Sequence, residues 1–381
     1  MNYRSSFALG AAVVGVLLTS AFGTLAGAAE ATTDKELGDA DLYFPPRSGA
    51  WETVEPETVG WSKEAIEEAL LYAGEQRSTG VVILYRGRIL AERYWQVERD
   101  PKDKLDRLGK MTAGRTALGQ SIEDVASAQK SVASFLVGVA EGKGLVDLES
   151  PASRYLEKGW SKATPEQEAE IKVRHLISMA TGLAGNHTYR GPAGSIWMYN
   201  TPVYSQIVNV LAAASGMTVD QYTAKWLTEP AGMTDSRWAP RPWIGDAPQG
   251  NTIGFVTSAR DLARFGLLVL AGGSWDGRDV LGNPDYLERA LAPSQQINPS
   301  YGFLWWLNGQ DTVTRGRNST EAHKGPLIRT APPDLAAAQG ALGRKCYVVP
   351  SLDLVVTRLG DQPPDKAFND ELWKRLSRGA P

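Results

Sequence analysis

Strand-like segments at both ends of the chain, with helical patterns between them, predict an α+β, two-lobed fold. In that fold an antiparallel sheet built from N- and C-terminal strands is flanked by helices, and a mainly helical lobe is inserted between the two sets of strands. Three observations carry the expectation. Two apolar runs, 81–85 and 89–94, flank the turn Arg86-Gly87-Arg88 and read as a β-hairpin. Two further strand-like runs, 345–349 and 352–359, are parted by Pro350-Ser351 near the other end. The intervening 145–290 carries apolar residues mainly at helical spacing.

Taken in order, the chain starts with a short basic stretch ending at Arg4, then an almost wholly apolar or small run over 7–25 and an A-x-A site at Ala26-Gly27-Ala28. This pattern predicts a signal peptide over 1–29, and hence a secreted or periplasmic protein. The competing reading is an uncleaved membrane anchor, because the apolar run approaches spanning length. No cysteine follows the run to accept a lipid, so no stable membrane anchor is expected after cleavage. Residues 30–59 are polar and proline-rich and read as an extended arm, leaving 60–378 as one large domain. Ser62 and Glu64 open a helix with Ile66, Ala69, Leu70 and Ala73 on one face. After the hairpin and a charged loop over 98–110, helices are expected at 171–180, 203–215, 218–229 and 258–271, with Thr218/Gln221 and Ser258/Asp261 as starting caps. A last helix is expected over 364–378.

Composition removes several classes of function. A net charge of −3 with no basic stripe argues against nucleic-acid binding. The single cysteine, Cys346, excludes an intrachain disulfide and sits in an apolar strand-like run, as a buried structural thiol would. The chain has no G-x-S-x-G elbow, H-E-x-x-H, C-x-x-C or glycine-rich phosphate loop. Its three histidines, His175, His187 and His323, are too scattered to suggest a metal centre, and His175 lies in an apolar helical stretch as a core residue. No metal or organic cofactor is expected.

The chemistry-bearing signal is Ser127-Ala128-Gln129-Lys130, the one S-x-x-K in the chain. Helical spacing stacks residues three apart, so the lysine amine lies beside the serine hydroxyl. A serine hydroxyl needs a neighbouring base to act as a nucleophile, and a buried, neutral lysine is one. Val132, Phe135, Leu136, Val139 and Ala140 continue a buried helix, which stops at Glu141-Gly142-Lys143-Gly144. Ser127 therefore stands at a helix N-terminus, where free N–H groups and the dipole favour a developing oxyanion. The plain alternative is an N-cap serine with a solvated lysine one turn later.

Further segments resemble, in the same order over roughly 60–375, the serine β-lactamase-type hydrolases: penicillin-binding proteins, AmpC-like β-lactamases, family VIII esterases and 6-aminohexanoate-dimer hydrolases. They are Gly144-Leu145-Val146-Asp147-Leu148 with Pro151, Ile171 to Leu176 with Thr181-Gly182-Leu183, and Trp197-Met198-Tyr199-Asn200. Thr257 to Phe265, Tyr301-Gly302-Phe303-Leu304-Trp305-Trp306, and Pro350 to Val356 complete the set.

The resemblance implies that Tyr199 shares protons with Lys130. The family's Y-x-N is altered here: Asn200 comes one place early and Thr201 stands where the asparagine belongs, and both are candidate substrate contacts. Trp197, beside Tyr199, is a candidate cleft wall, and His187 and Tyr189 are placed at its edge. For the third motif, K-T-G or H-x-G, two segments compete, Ala341-Leu342-Gly343 and His323-Lys324-Gly325. The first precedes a strand-like run and is preferred, which makes Gly343 a substrate contact and the backbone N–H groups of Ser127 and Arg344 the oxyanion hole. Loss of a cation at this motif argues for small ester or amide substrates without a carboxylate. The expected activity is thus that of an exported serine hydrolase, a carboxylesterase or amidase, working through an acyl-enzyme. A β-lactamase or D-alanyl-D-alanine carboxypeptidase is the alternative within the class, and a non-catalytic sensor or binding protein the alternative outside it.

Overall fold

The computed structural model describes residues 42–100, 102–244, 252–316, 319 and 321–381. The expected signal peptide, and the arm up to residue 41, lie outside the described residues. Ser62 Oγ accepts the Ala65 N–H at 3.2 Å and opens α1 (Lys63–Glu75), whose apolar face is buried as its spacing predicts. The hairpin follows as β1 (Ser78–Tyr85) and β2 (Arg88–Tyr94), with positive φ at both Arg86 and Gly87 in its turn.

Next come β3 (Thr112–Arg115), β4 (Ser121–Asp124), α2 (Gln129–Gly142), α3 (Gln206–Ser215), β5 (Arg237–Pro240) and β6 (Ile253–Ser258). The chain closes with α4 (Ala259–Leu270), β7 (Trp306–Leu307), β8 (Ala336–Gln339), β9 (Lys345–Val349), β10 (Leu354–Gly360) and α5 (Phe368–Arg378).

The main sheet runs β2-β1-β10-β9-β8-β7, antiparallel throughout. β10 lies against β1, with Val82 opposite Thr357, so the two chain ends close one sheet as the sequence predicts. Alternation splits each strand between two cores. Val81, Ile83, Tyr347 and Val356 pack with Trp61, Leu70 and Trp373 of the terminal segments. Val82, Leu84, Cys346 and Val355 pack with Val132, Phe135 and Phe265 of α2 and α4. Burial on both faces explains why these strands read as apolar runs. It also pushes the Cys346 thiol pKa up, in keeping with an inert structural role.

The central segment is helical but more broken than its periodicity predicts. The helix expected at 171–180 is only Val173–Ile177, and that at 203–215 is interrupted at Ser205. The Thr218/Gln221 capping box and the Ser258 cap are both present. A second sheet, β3-β4-β6-β5, was not expected, because its strands are short and poor in alternating β-branched residues. It joins the main sheet through Glu123 on β4. That carboxylate accepts from Thr79 Oγ1 at 2.5 Å, from Arg344 Nε at 2.9 Å and from the Gly360 N–H at 3.1 Å. Glu123 and Arg344 are both fully buried, so the pair is desolvated and relies on these contacts to offset that cost.

Lys345 on β9 is also buried, and its Nζ donates to Gln339 Oε1 on β8 at 2.6 Å. Burial, and then the neighbouring Arg358, pull its pKa down to about 7 from the ordinary 10.5. Between about pH 7 and 10.5 the unfolded chain therefore binds the proton and the folded chain does not, so folding gains stability as pH rises through this window. Lys345→Met removes the dependence. Thermal or urea unfolding should show the wild type gaining on this variant from pH 7 to pH 10, and a constant difference would contradict the assignment.

Candidate active site

The nucleophile candidate sits where β4 turns into α2. Ala126 there has φ +51°, a left-handed conformation that costs an alanine energy, and its N–H is held by Asp124 Oδ1 at 2.8 Å. A short 3₁₀ turn over Ala126–Ala128 then runs into α2. Ser127 is half-buried at this corner, and Lys130 one turn later is 2% exposed. Their side chains meet, with Nζ 3.2 Å from Oγ. The lysine is not solvated, so the plain reading of a capping serine beside a surface amine does not describe this corner.

Two tyrosines enclose the amine. The Tyr199 ring centroid is 5.0 Å from Lys130 Nζ and that of Tyr204 is 4.5 Å away. Tyr204 is fully buried and burial pushes its phenol pKa up, whereas Tyr199 is partly exposed. Tyr199 stacks on Trp306 at 5.7 Å and 24°, and meets Tyr301 edge-on at 6.3 Å. Tyr204, Tyr301 and Trp306 were not assigned to the site from sequence. An aromatic at i+5 from Tyr199 and the Tyr301 to Trp306 segment were visible, but nothing in their spacing showed that they converge.

The far wall is the end of β8. Its pairing with β7 stops at Ala337 opposite Trp306, so beyond that point the outer edge has no strand neighbour among the described residues. A Cβ placed on Gly340 would stand 2.1 Å from Val125 O and 3.3 Å from the Ala128 nitrogen. The strand end therefore touches the serine turn at a point where only glycine fits. The Gly340 N–H donates to Arg344 O at 2.8 Å, so alternation turns the N–H groups of Gln339 and Ala341 towards the open edge. Among the described residues no group of three or more His, Cys, Asp or Glu is placed to hold a metal ion.

The Beta-lactamase family profile matches residues 64–379. The chain belongs to the beta-lactamase family. An uncharacterized protein of Alkalihalophilus pseudofirmus is 22% identical over 304 residues, covering 73% of this chain and 82% of the relative. Among solved structures, a putative 6-aminohexanoate-dimer hydrolase from Bacillus anthracis superposes with a TM-score of 0.62 at 13% identity, covering 89% of each chain. A putative beta-lactamase from Bacteroides dorei gives 0.60 at 13% identity, over 84% of this chain and 99% of that one. The fold is that of the beta-lactamase-type hydrolases, as the sequence resemblance implied.

Within this family fold, several expected contacts fall elsewhere. Asn200 is buried: its Nδ2 donates to Leu183 O at 2.8 Å and its Oδ1 accepts the Val203 N–H at 3.2 Å. Its amide caps a short helix and ties down the 183–189 loop, so it is not presented to a substrate. Thr201, half-buried, is the first residue of that helix. Trp197 is 1% exposed and packs edge-on to Tyr301 and Trp306, backing the cleft wall rather than lining it. The half-exposed aromatic beside Tyr199 is Trp306. His187 packs edge-on to Trp160, with burial lowering its pKa.

The third motif also moves. Ala341–Gly343 is a tight turn between β8 and β9, and a Cβ on Gly343 would meet Arg358 and Pro363. The Arg344 N–H closes that turn on Ala341 O at 3.4 Å. Neither Gly343 nor Arg344 faces Ser127 as expected; the strand end that does is Gln339-Gly340, three residues earlier. Its alanine-rich approach, Ala336-Ala337-Ala338, lacks a strand signature, which is why the sequence did not place it. His323-Lys324 forms an exposed strand that, among the described residues, pairs with Thr312–Thr314 in its own two-stranded sheet.

The structural role of Asn200 is testable. Asn200→Ala should lower the unfolding free energy by about 1–3 kcal/mol, through the lost cap and the unpaired Leu183 carbonyl. Urea titration measures it, and an unchanged midpoint would contradict the capping role.

Proposed function

We propose that this chain is an exported serine hydrolase that cleaves esters or amides through an acyl-enzyme on Ser127. The observation that carries the reading is the buried Lys130 amine 3.2 Å from the Ser127 hydroxyl, at the corner where β8 ends. Lys130, in its neutral form, takes the hydroxyl proton as Oγ attacks the carbonyl carbon. The oxyanion is received by the Ser127 N–H and by an N–H from the Gln339–Ala341 edge, an arrangement worth about 3–4 kcal/mol per donor in comparable sites. Tyr199, at the mouth of the lysine pocket, passes the proton to the departing alkoxide or amine. Water then attacks the ester on Ser127, with the same groups working in reverse. Export follows from the leader pattern at 1–29.

The side chains on β8 favour substrates without a carboxylate. At the strand end, Ala338, Gln339 and Gly340 present no cation on the strand that borders Ser127. A neutral ester or amide matches this wall better than a penicillin or a D-alanyl-D-alanine terminus, whose carboxylates need a charge partner.

Two measurements check the proposal. Purified protein should hydrolyse short p-nitrophenyl esters or simple amides faster than a chromogenic cephalosporin, and rapid cephalosporin turnover without ester cleavage would overturn the substrate assignment. Ser127→Ala should lose at least about 10³-fold in kcat and Lys130→Ala about 10²–10⁴-fold, with folding retained. Activity unchanged in either variant removes that residue from the mechanism. A fluorophosphonate that fails to label Ser127 in the folded protein would favour a non-catalytic binding protein.

A further inference from the structure

Beside the serine turn lies a buried charged pair that the chemistry above does not use. Asp124 is 2% exposed and Arg241 is 9% exposed, and they meet in a two-point fork: Nε to Oδ2 at 2.5 Å and Nη2 to Oδ1 at 2.6 Å. Asp124 Oδ1 also accepts the Ala126 N–H at 2.8 Å. Arg241 Nη2 continues to Gln129 Oε1 at 2.8 Å, and that oxygen takes the Phe255 N–H at 3.2 Å. Ala126 and Gln129 lie on either side of Ser127, so both shoulders of the serine are tied to one guanidinium–carboxylate unit.

We propose that Asp124, Arg241 and Gln129 form a clamp that holds the Ser127 turn in its attacking geometry. The proposal rests on the reading of Ser127 as the nucleophile, and it makes these three positioning residues rather than catalytic ones. Its physical basis is that a buried ion pair contributes little net stability compared with apolar packing of the same shape, while a planar, two-point fork fixes distance and direction. The turn needs such fixing: Ala126 is held at φ +51°, a conformation that its neighbours must impose. Arg241 comes from the end of β5, more than a hundred residues along the chain, so the second sheet registers the nucleophile against the rest of the cleft.

Gly254 on β6 shows how tightly the unit is enclosed. A Cβ there would lie 2.3 Å from Asp124 Oδ2 and 2.6 Å from Arg241 Nε. Gly254→Ala is therefore a steric probe that displaces the fork without removing a charge or a hydrogen-bonding group.

The test is steady-state kinetics on a p-nitrophenyl ester that the wild type cleaves, with folding followed by circular dichroism and thermal midpoint. Gly254→Ala and Asp124→Ala are expected to lose about 10²-fold in kcat with KM within about twofold, as expected for a nucleophile misplaced by a fraction of an ångström to an ångström. Asp124→Asn keeps an acceptor for the Ala126 N–H and should recover at least about tenfold over Asp124→Ala. If Asp124→Ala does not fold, Gly254→Ala and Gln129→Leu, which leave the charges paired, carry the test. Folded variants with kcat within about threefold of wild type, or equal activity for the Asn and Ala replacements, would overturn the clamp. A wild type that never reacts at Ser127 would instead remove the nucleophile itself, a distinct outcome.

Discussion

A gap one glycine wide, between the end of β8 and the serine turn, sets the geometry on which the cleft depends. At Gly340 a single added carbon would stand 2.1 Å from the Val125 carbonyl oxygen. This close approach brings the open edge of an antiparallel sheet beside the N-terminus of a buried helix. The strand edge turns the N–H groups of Gln339 and Ala341 away from β9, and the helix start offers a hydroxyl with an amine beneath it. Hydrolysis of a carbonyl compound needs both kinds of group within a few ångströms of one atom. The family fold provides that meeting, and the residues at the corner decide what it does.

Two consecutive carboxylates on β4 connect the corner to the rest of the molecule. Strand alternation sends Glu123 and Asp124 to opposite sides. Glu123 reaches the main sheet through Thr79, Arg344 and Gly360, and Asp124 reaches the serine turn and Arg241. The short second sheet is thus a coupling between the large sheet and the Ser127 turn. Its charged pairs are buried, where fixed geometry rather than net stability is what an ion pair contributes.

Much of this was legible in the sequence. The hairpin, β9, β10 and α2 carry strong apolar periodicity, and Ser127 with Lys130 announces itself through helical spacing alone. What escaped was non-local or weakly patterned. β8 is three alanines and a glutamine, so only its burial between β9 and β7 makes it a strand. With β8 unseen, the third motif was placed three residues late, in the turn over Ala341–Gly343. Asn200 matched a substrate-binding motif by letter but is consumed by Leu183 and Val203. Trp197 stands next to Tyr199 in sequence, yet it is buried edge-on against Tyr301 and Trp306, which leaves Trp306 beside Tyr199. Arg241 gave no local signal, because its partners are over a hundred residues away.

The central claim is that a covalent bond forms at Ser127 during turnover. Acid-quenching the enzyme while it consumes a slowly deacylating aryl ester, followed by peptide mass spectrometry, tests this most directly. The account predicts the acyl mass on the peptide that contains Ser127, appearing before steady state and disappearing as substrate is exhausted. Continued hydrolysis with that peptide unmodified, or with the acyl group on another residue, would contradict it.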